Sequence, residues 1–204
     1  MSTDSSEQLV YIIDDDDAVR DSMGMLLESA DIAHCGFENA QEFIDHYDGT
    51  QRGCLILDIR MPGMNGLELQ QQLLQLASTL PIVFITGHGD VPMAVEAMRH
   101  GAVDFLRKPI NESDLLARIH QALNEETGHW NRKLDQAEID SRVASLTDRE
   151  REIFQLVAQG MANKAIAANL DISERTVEVH RSQVMKKLGV RSLAQLVRLH
   201  LQAG

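Results

Sequence analysis

A chain of 204 residues with 44% hydrophobic composition can bury one large core or two small ones. No run approaches the roughly 18 to 20 apolar residues of a membrane span. The start, Met-Ser-Thr-Asp-Ser-Ser-Glu, lacks a secretory pattern, and Cys35 and Cys54 lie in apolar strand-like runs. Both are read as reduced, buried thiols, and a cytoplasmic protein without a membrane partner is expected. The formal charge of −12 is unevenly divided, with 10 Lys and Arg against 25 Asp and Glu in residues 1–146 and 9 against 6 in residues 147–204. An acidic head beside a mildly basic tail assigns any nucleic-acid contact to the tail.

The first apolar run, Leu9–Ile13, ends on Asp14-Asp15-Asp16-Asp17. One or two of these acids serve as caps for a helix that places Val19, Met23, Leu26 and Leu27 on one face. An EF-hand is excluded, because its glycine and glutamate positions hold Val19 and Met25. Ile32–Phe37 reads as a second strand, with Asn39 capping a helix that buries Phe43 and Ile44. The run Cys54–Leu57 is too short for a helix and delivers Asp58 to its tip before Pro62, Gly63 and Gly66 break the chain. Leu67, Leu69, Leu73, Leu74 and Leu76 form the buried set of a third helix. Pro81–Ile85 runs into Thr86-Gly-His88-Gly. A fourth helix spans Val91–Arg99 and stops at Gly101; Ala102–Leu106 runs into Arg107-Lys108-Pro109. Asn111 opens a fifth helix burying Leu115, Leu116, Ile119 and Leu123.

Strands alternating with helices predict a five-stranded parallel doubly wound sheet, whose sites lie at the carboxyl ends of the strands. Carboxylates of the Asp14–Asp17 run would meet Asp58 there, a crowd of like charges that calls for a hard divalent cation such as Mg²⁺. Thr86 and Lys108 at the same edge could hold the oxygens of a phosphoryl group. Residues 125–145 read as a helical, partly exposed linker; Trp130, Leu134 and Ile139 recur at seam-like spacing, but three residues are not a sustained heptad, and a solvated connector is the favoured reading over a weak coiled coil. From Leu146 the pattern is wholly helical. Thr147 and Glu150 form a capping box, Ile153, Phe154, Leu156 and Val157 an apolar face, and Gly160 a stop. Asn163–Leu170, a tight turn at Asp171-Ile172, and a helix capped by Ser173 have helix-turn-helix spacing. A fourth tail helix, opened by Ser192 with Gln195 in the capping-box position, is expected to bury Leu193, Leu196, Val197 and Leu201.

The constellation of two early acids, Asp58, Thr86 and Lys108-Pro109 resembles the receiver domain of two-component response regulators. The phrase Leu146-Thr-Asp-Arg-Glu-Arg-Glu with Gly160, Asn163-Lys164, Ile166-Ala167, Thr176-Val177, His180-Arg181 and Lys187-Leu188 resembles the LuxR-type DNA-binding domain. Together they resemble the NarL/FixJ class, the stretch Thr86–Met98 its FixJ branch. The resemblance implies a flavodoxin/CheY-like α/β receiver over residues 1–124, a linker over 125–145 and a four-helix DNA-binding domain over 146–204. It implies that a sensor histidine kinase phosphorylates Asp58, that Asp15, Asp58 and the backbone carbonyl of Arg60 hold Mg²⁺ with Asp14 assisting, and that Thr86 and Lys108 bind the phosphoryl oxygens. Phe105 becomes the aromatic that follows Thr86. It further implies phosphorylation-dependent homodimerisation around Val91, Val95 and Met98, binding to promoter DNA in the major groove, and RNA polymerase as a further partner.

Two other classes do not fit the residues. An aspartyl-phosphate hydrolase needs a general acid two residues after its nucleophile, where Arg60 stands; a ligand-sensing LuxR-type regulator would lack the strand-end acids. Arg60 and His88, two residues after Asp58 and Thr86, are expected to control water access to the phosphorus. On the helix from Glu174 to Leu188, Val177, His180, Val184 and Leu188 should face the core. Arg175, Glu178, Val179, Ser182 and Lys186 should then face the groove. By resemblance Glu178, Val179 and Ser182 read bases, while Lys164, Thr176, Arg181 and Lys186 meet phosphates.

Overall fold

The computed structural model describes residues 7–87 and 91–203. Five parallel strands, β1 (Leu9–Ile13), β2 (His34–Phe37), β3 (Gly53–Asp58), β4 (Ile82–Thr86) and β5 (Asp104–Arg107), form one sheet in the order β2-β1-β3-β4-β5. Val10, Ile12, Cys54, Ile56, Val83 and Ile85 point to one face. They meet Met23 and Leu27 of helix α1 (Asp17–Ser29) and Leu115 and Ile119 of helix α5 (Glu112–Ala144). Tyr11, Ile13, Leu55, Leu57 and Phe84 alternate with them on the other face. That face is covered by Phe43 of α2 (Ala40–His46), Leu67, Leu69 and Leu73 of α3 (Gly66–Gln75) and Ala97 of α4 (Val91–Arg99). Because both faces are dry along β1, β3 and β4, these inner strands read as unbroken apolar runs rather than alternating ones.

Local chemistry sets where the helices begin. Asp16 accepts from the amides of Ala18 and Val19, Asn39 from that of Glu42, and Asn65 with Glu68 forms a reciprocal capping box. Gly66 is required by packing: a Cβ there would stand 2.3 Å from the carbonyl oxygen of Asp58. The glycine therefore lets α3 start directly against the strand end that carries the site.

The chain divides into two compact units, one reaching to His129 and one beginning at Trp130. In the second, α6 (Asp148–Ala158), α7 (Asn163–Leu170), α8 (Glu174–Leu188) and α9 (Leu193–Gln202) enclose Ile153, Phe154, Val157, Ile166, Val177, Val184, Leu188, Leu196 and Leu199. The Thr147–Glu150 capping box forms, and Ser173 caps α8. Asp171 ends α7 in the left-handed conformation at φ 52°, which makes the turn between α7 and α8 tight.

Several expectations are corrected. Leu74 and Leu76 are 51% and 53% exposed: Leu74 lies about 100° round α3 from Leu73, and Leu76 is already its C-cap. In α9, Leu193 and Leu201 are exposed and Leu199 is buried instead. Leu201 stands two residues beyond Leu199, on the opposite side of the helix. Gln195 accepts from the amide of Arg191, one residue before the cap, rather than from Ser192. Ile32 precedes β2. Within the linker stretch, Ile139 and Val143 are partly buried rather than solvated and pack against the core of the second unit.

Candidate functional site: an acid-lysine cluster and a helix-turn-helix

At the carboxyl edge of the sheet, Lys108 Nζ lies 2.7 Å from Asp14 Oδ2 and 2.8 Å from Asp58 Oδ1. The two acids are carried by β1 and by the adjacent β3, whose register pairs Ile13 with Leu57 and so sets Asp14 beside Asp58. Lys108 arrives from the end of β5, just before a cis peptide to Pro109. Asp14 and Asp58 are 1% and 5% exposed. Backbone amides complete their shells: Asp16 N donates to Asp14 Oδ1 at 3.0 Å, and Arg60 N donates to Asp58 Oδ2 at 2.6 Å. Arg20 of α1 donates to the main-chain oxygen of Asp14 at 2.5 Å and pairs with Asp17, tying the acidic loop to the helix that follows it. Thr86, buried at the end of β4, donates its hydroxyl to Gly87 O at 3.1 Å.

Burial pushes the Asp58 carboxyl above its usual range, and Asp14 adds to the effect, outweighing the opposing pull of Lys108. Burial alone would lower Lys108, but its hydrogen bonds to the two carboxylates win and its ammonium is held more firmly than usual. Two carboxylates against one ammonium leave a negative charge in a largely dry edge. That donor set is all oxygen and fits a hard divalent ion, with Asp15 exposed beside it. Among the described residues, no three Asp, Glu, His or Cys side chains already converge on a common point. Cys54, by contrast, is inert, since burial pushes its thiol up to about 12.

Residues 10–120 match the response regulator receiver domain family, and residues 144–200 match the bacterial regulatory proteins of the luxR family. The chain is 46% identical over 195 residues to the transcriptional regulatory protein FixJ of Bradyrhizobium diazoefficiens, covering 96% of this chain and 95% of that one. It is 42% identical over 191 residues to the response regulator protein TodT of Pseudomonas putida, covering 94% and 84%. Among solved structures, the response regulator StyR superposes with a TM-score of 0.89 at 45% identity, covering 97% of this chain and 100% of that one. Full-length FixJ from B. japonicum superposes with a TM-score of 0.60 at 45% identity, covering 97% of each chain. This chain is a FixJ-type two-component response regulator. It pairs a receiver with a LuxR-type DNA-binding domain, in a family of transcriptional regulators rather than enzymes. No helix among the regulator's described residues is long and apolar enough to cross a membrane.

The regulator's expected switch residues fall around this cluster unequally. Asp14 rather than Asp15 is the buried partner of Lys108, while Asp15 and Arg60 are exposed. Phe105 pairs with Phe84 across β4 and β5, two positions before Thr86 pairs with Arg107, and is half-buried against the core on that face of the sheet. On α4, Val95 and Met98 are 47% and 40% exposed. His88 and the side chain of Val91 lie outside the described residues.

In the second unit Lys164, Arg175, Glu178, Val179, Ser182 and Lys186 are exposed, and Thr176 is half-buried. Val177, Val184 and Leu188 turn inward as expected, with His180 half-buried beside them. Arg181, expected at phosphates, donates to Asn163 Oδ1 at 2.7 Å and so links α8 to the start of α7. Lys187 is bound to Glu150 at 2.6 Å. That ammonium, with the Thr147 amide, holds the Glu150 carboxyl below its usual range. Arg20 and Glu126 were missed by sequence reasoning: both are charged residues in charged stretches, and their partners were not visible from spacing.

Proposed function

We propose that Asp58 is the phosphoacceptor of this regulator, with a sensor histidine kinase as donor. The observation that carries the reading is the buried Asp58 held by Lys108 at 2.8 Å and by the Arg60 amide at 2.6 Å. One carboxylate oxygen attacks phosphorus as the phosphorus–nitrogen bond of the donor histidine breaks and its imidazole leaves with the electron pair, and Lys108 can then follow the phosphoryl oxygens, since its three-donor ammonium is mobile on a flexible stem. Asp14, Asp15, Asp58 and the main-chain carbonyl of Arg60 would hold Mg²⁺, which when bound supplies charge neutralisation for the entering phosphoryl group. Thr86, two positions along the same strand face as Phe84, is the hydroxyl donor that would turn toward the phosphoryl group, and Phe105 the neighbouring ring that would follow it. Arg60 and His88 are assigned to controlling water access, and hence the lifetime of the acyl phosphate.

Phosphorylation adds up to about two negative charges, enough to reorganise the edge that joins β4, α4 and β5. Dimerisation through Val91, Val95 and Met98 follows as the output. Two copies would present two helix-turn-helix units to a two-fold promoter site in the major groove. Glu178, Val179 and Ser182 would read bases; Lys164, Arg175, Thr176 and Lys186 would meet phosphates, with Arg181 mainly fixing α7 against α8. Residues 1–124, 125–145 and 146–204 are the corresponding functional segments. A cytoplasmic site of action and contact with RNA polymerase at the promoter complete the reading.

Intact-mass measurement after incubation with acetyl phosphate and Mg²⁺ tests it. One phosphoryl group per chain is expected for the wild type and none for Asp58→Asn. Labelling that persists in Asp58→Asn would place the acceptor elsewhere. Light scattering on the same samples should report a doubling of mass only in the phosphorylated wild type, lost in Val95→Asp.

A further inference from the structure

The last turns of α5 are bound to the end of α8. Arg142 Nη1 donates to Leu188 O, the last carbonyl of α8, at 3.3 Å, and its Nη2 is held by Glu138 at 2.6 Å. In the reverse direction Lys187 of α8 donates to Ser145 O at 3.3 Å while paired with buried Glu150. Gly189 ends α8 at φ 68°, and a Cβ there would stand 3.3 Å from Arg142 Nη1. The helix therefore ends in a left-handed glycine that leaves the guanidinium room to reach the carbonyl terminus. A cation at a helix C-terminus is favourable by charge as well as by hydrogen bonding. Ile139 and Val143 anchor the same stretch of α5 in the core of this unit.

We propose that Arg142 is a positioning residue for α8. By gripping the carbonyl end of that helix it sets the tilt at which Val179 and Ser182 are presented, and it makes base reading sensitive to any displacement of α5. The inference rests on the reading of α8 as the helix that contacts DNA. Leverage gives it force. Val179 and Ser182 stand nine and six residues before Leu188 on α8, about 13 Å and about 9 Å at 1.5 Å per residue, so a pivot of about 5° at Leu188 moves them by about 1 Å. Base-edge hydrogen bonds are confined to a donor-acceptor window of roughly half an ångström. A shift of that size therefore separates specific from non-specific contact. Arg142 is 42% exposed, so its replacement strands no buried charge and should leave the fold intact.

The test uses the full-length regulator, a DNA sequence obtained by binding-site selection with the wild type, and a scrambled control. Arg142→Gln should reduce the selected-to-scrambled affinity ratio at least fivefold. Affinity for scrambled DNA and its salt dependence should stay within twofold of wild type. Arg142→Lys, which keeps a cation at the helix end, should recover most of the ratio. In the free protein, Arg142→Gln should speed hydrogen exchange at the amides of Gly189 and Val190, with those of Ile153 and Phe154 unchanged. An unchanged ratio, equal losses on both DNAs, or unchanged exchange at Gly189 and Val190 would overturn the proposal. A wild type without sequence preference would instead count against the reading of α8 on which it rests, while the exchange comparison, made without DNA, would still decide whether Arg142 holds the helix end.

Discussion

Lys108 stands 2.8 Å from Asp58, yet the carboxyl it pairs with is raised rather than lowered, because burial and the neighbouring Asp14 together outweigh the ammonium. The sign of the stability linkage follows. A carboxyl whose folded-state value lies above its unfolded value, about 3.9, contributes fully below that unfolded value. Its contribution is lost as pH rises through the folded value, because the unfolded chain releases the proton more easily. The first unit should therefore be strained by ionised Asp58 at neutral pH. Asp58→Asn keeps a polar side chain beside the Arg60 amide and removes the charge. Urea unfolding of the two proteins should show the variant gaining relative stability from about pH 4 upward. A gap that closes as pH rises would reverse the assignment of strain.

Glu126 is 3% exposed although it lies in a charged stretch of α5. It accepts from Arg52 Nε and Nη2, both at 3.0 Å, and from Gln8 Nε2 at 2.5 Å, so one side chain joins α5 to the starts of β1 and β3. Removing one member of a buried bidentate pair costs about 3 kcal/mol or more, since the other is left desolvated. Glu126→Ala should lower the unfolding free energy of the first unit by about that amount. An effect below about 1 kcal/mol would mean that water enters and relieves Arg52.

On α8 the exposed Glu178 and the exposed Lys164 of α7 should separate base reading from phosphate contact. A carboxylate near phosphates is unfavourable unless it accepts from a cytosine amino group, a contact worth roughly 1 to 3 kcal/mol of discrimination. Glu178→Lys should raise affinity for all DNA and relax the preference at one base pair per half-site. Lys164→Ala should weaken every sequence alike and reduce the salt slope by about one. Binding-site selection with Glu178→Lys checks the first half; an unchanged preferred base would leave specificity to Val179, Ser182 or DNA shape.

The strand ends were legible because a strand buried on both faces is a short apolar run, and a carboxylate, hydroxyl or lysine just after it stands out. The same property hid the ranking of the aspartates. With no polar face on β1, alternation carries no signal, so nothing in Asp14-Asp15-Asp16-Asp17 says which acid stays with the buried strand; the structure buries Asp14 and uses Asp16 as the cap of α1. Helix caps at Asn39, Thr147 and Ser173 were readable from a few adjacent residues. Leu74, Leu76, Leu193 and Leu201 were not, since apolar identity alone does not say which side of a short helix meets a core. Contacts across long sequence separations, Glu126 with Arg52 and Arg142 with Leu188, leave no local pattern at all.

If phosphorylation is the switch, the charge added at Asp58 raises promoter affinity. Titration of the selected DNA with the full-length regulator, with and without acetyl phosphate and Mg²⁺, tests it most directly when Asp58→Asn is measured beside the wild type. Tenfold or greater tightening in the treated wild type, with no response in Asp58→Asn, is the predicted result. Equal affinity of treated and untreated wild type, under conditions where mass measurement finds Asp58 phosphorylated, would mean that charge at Asp58 does not drive DNA binding.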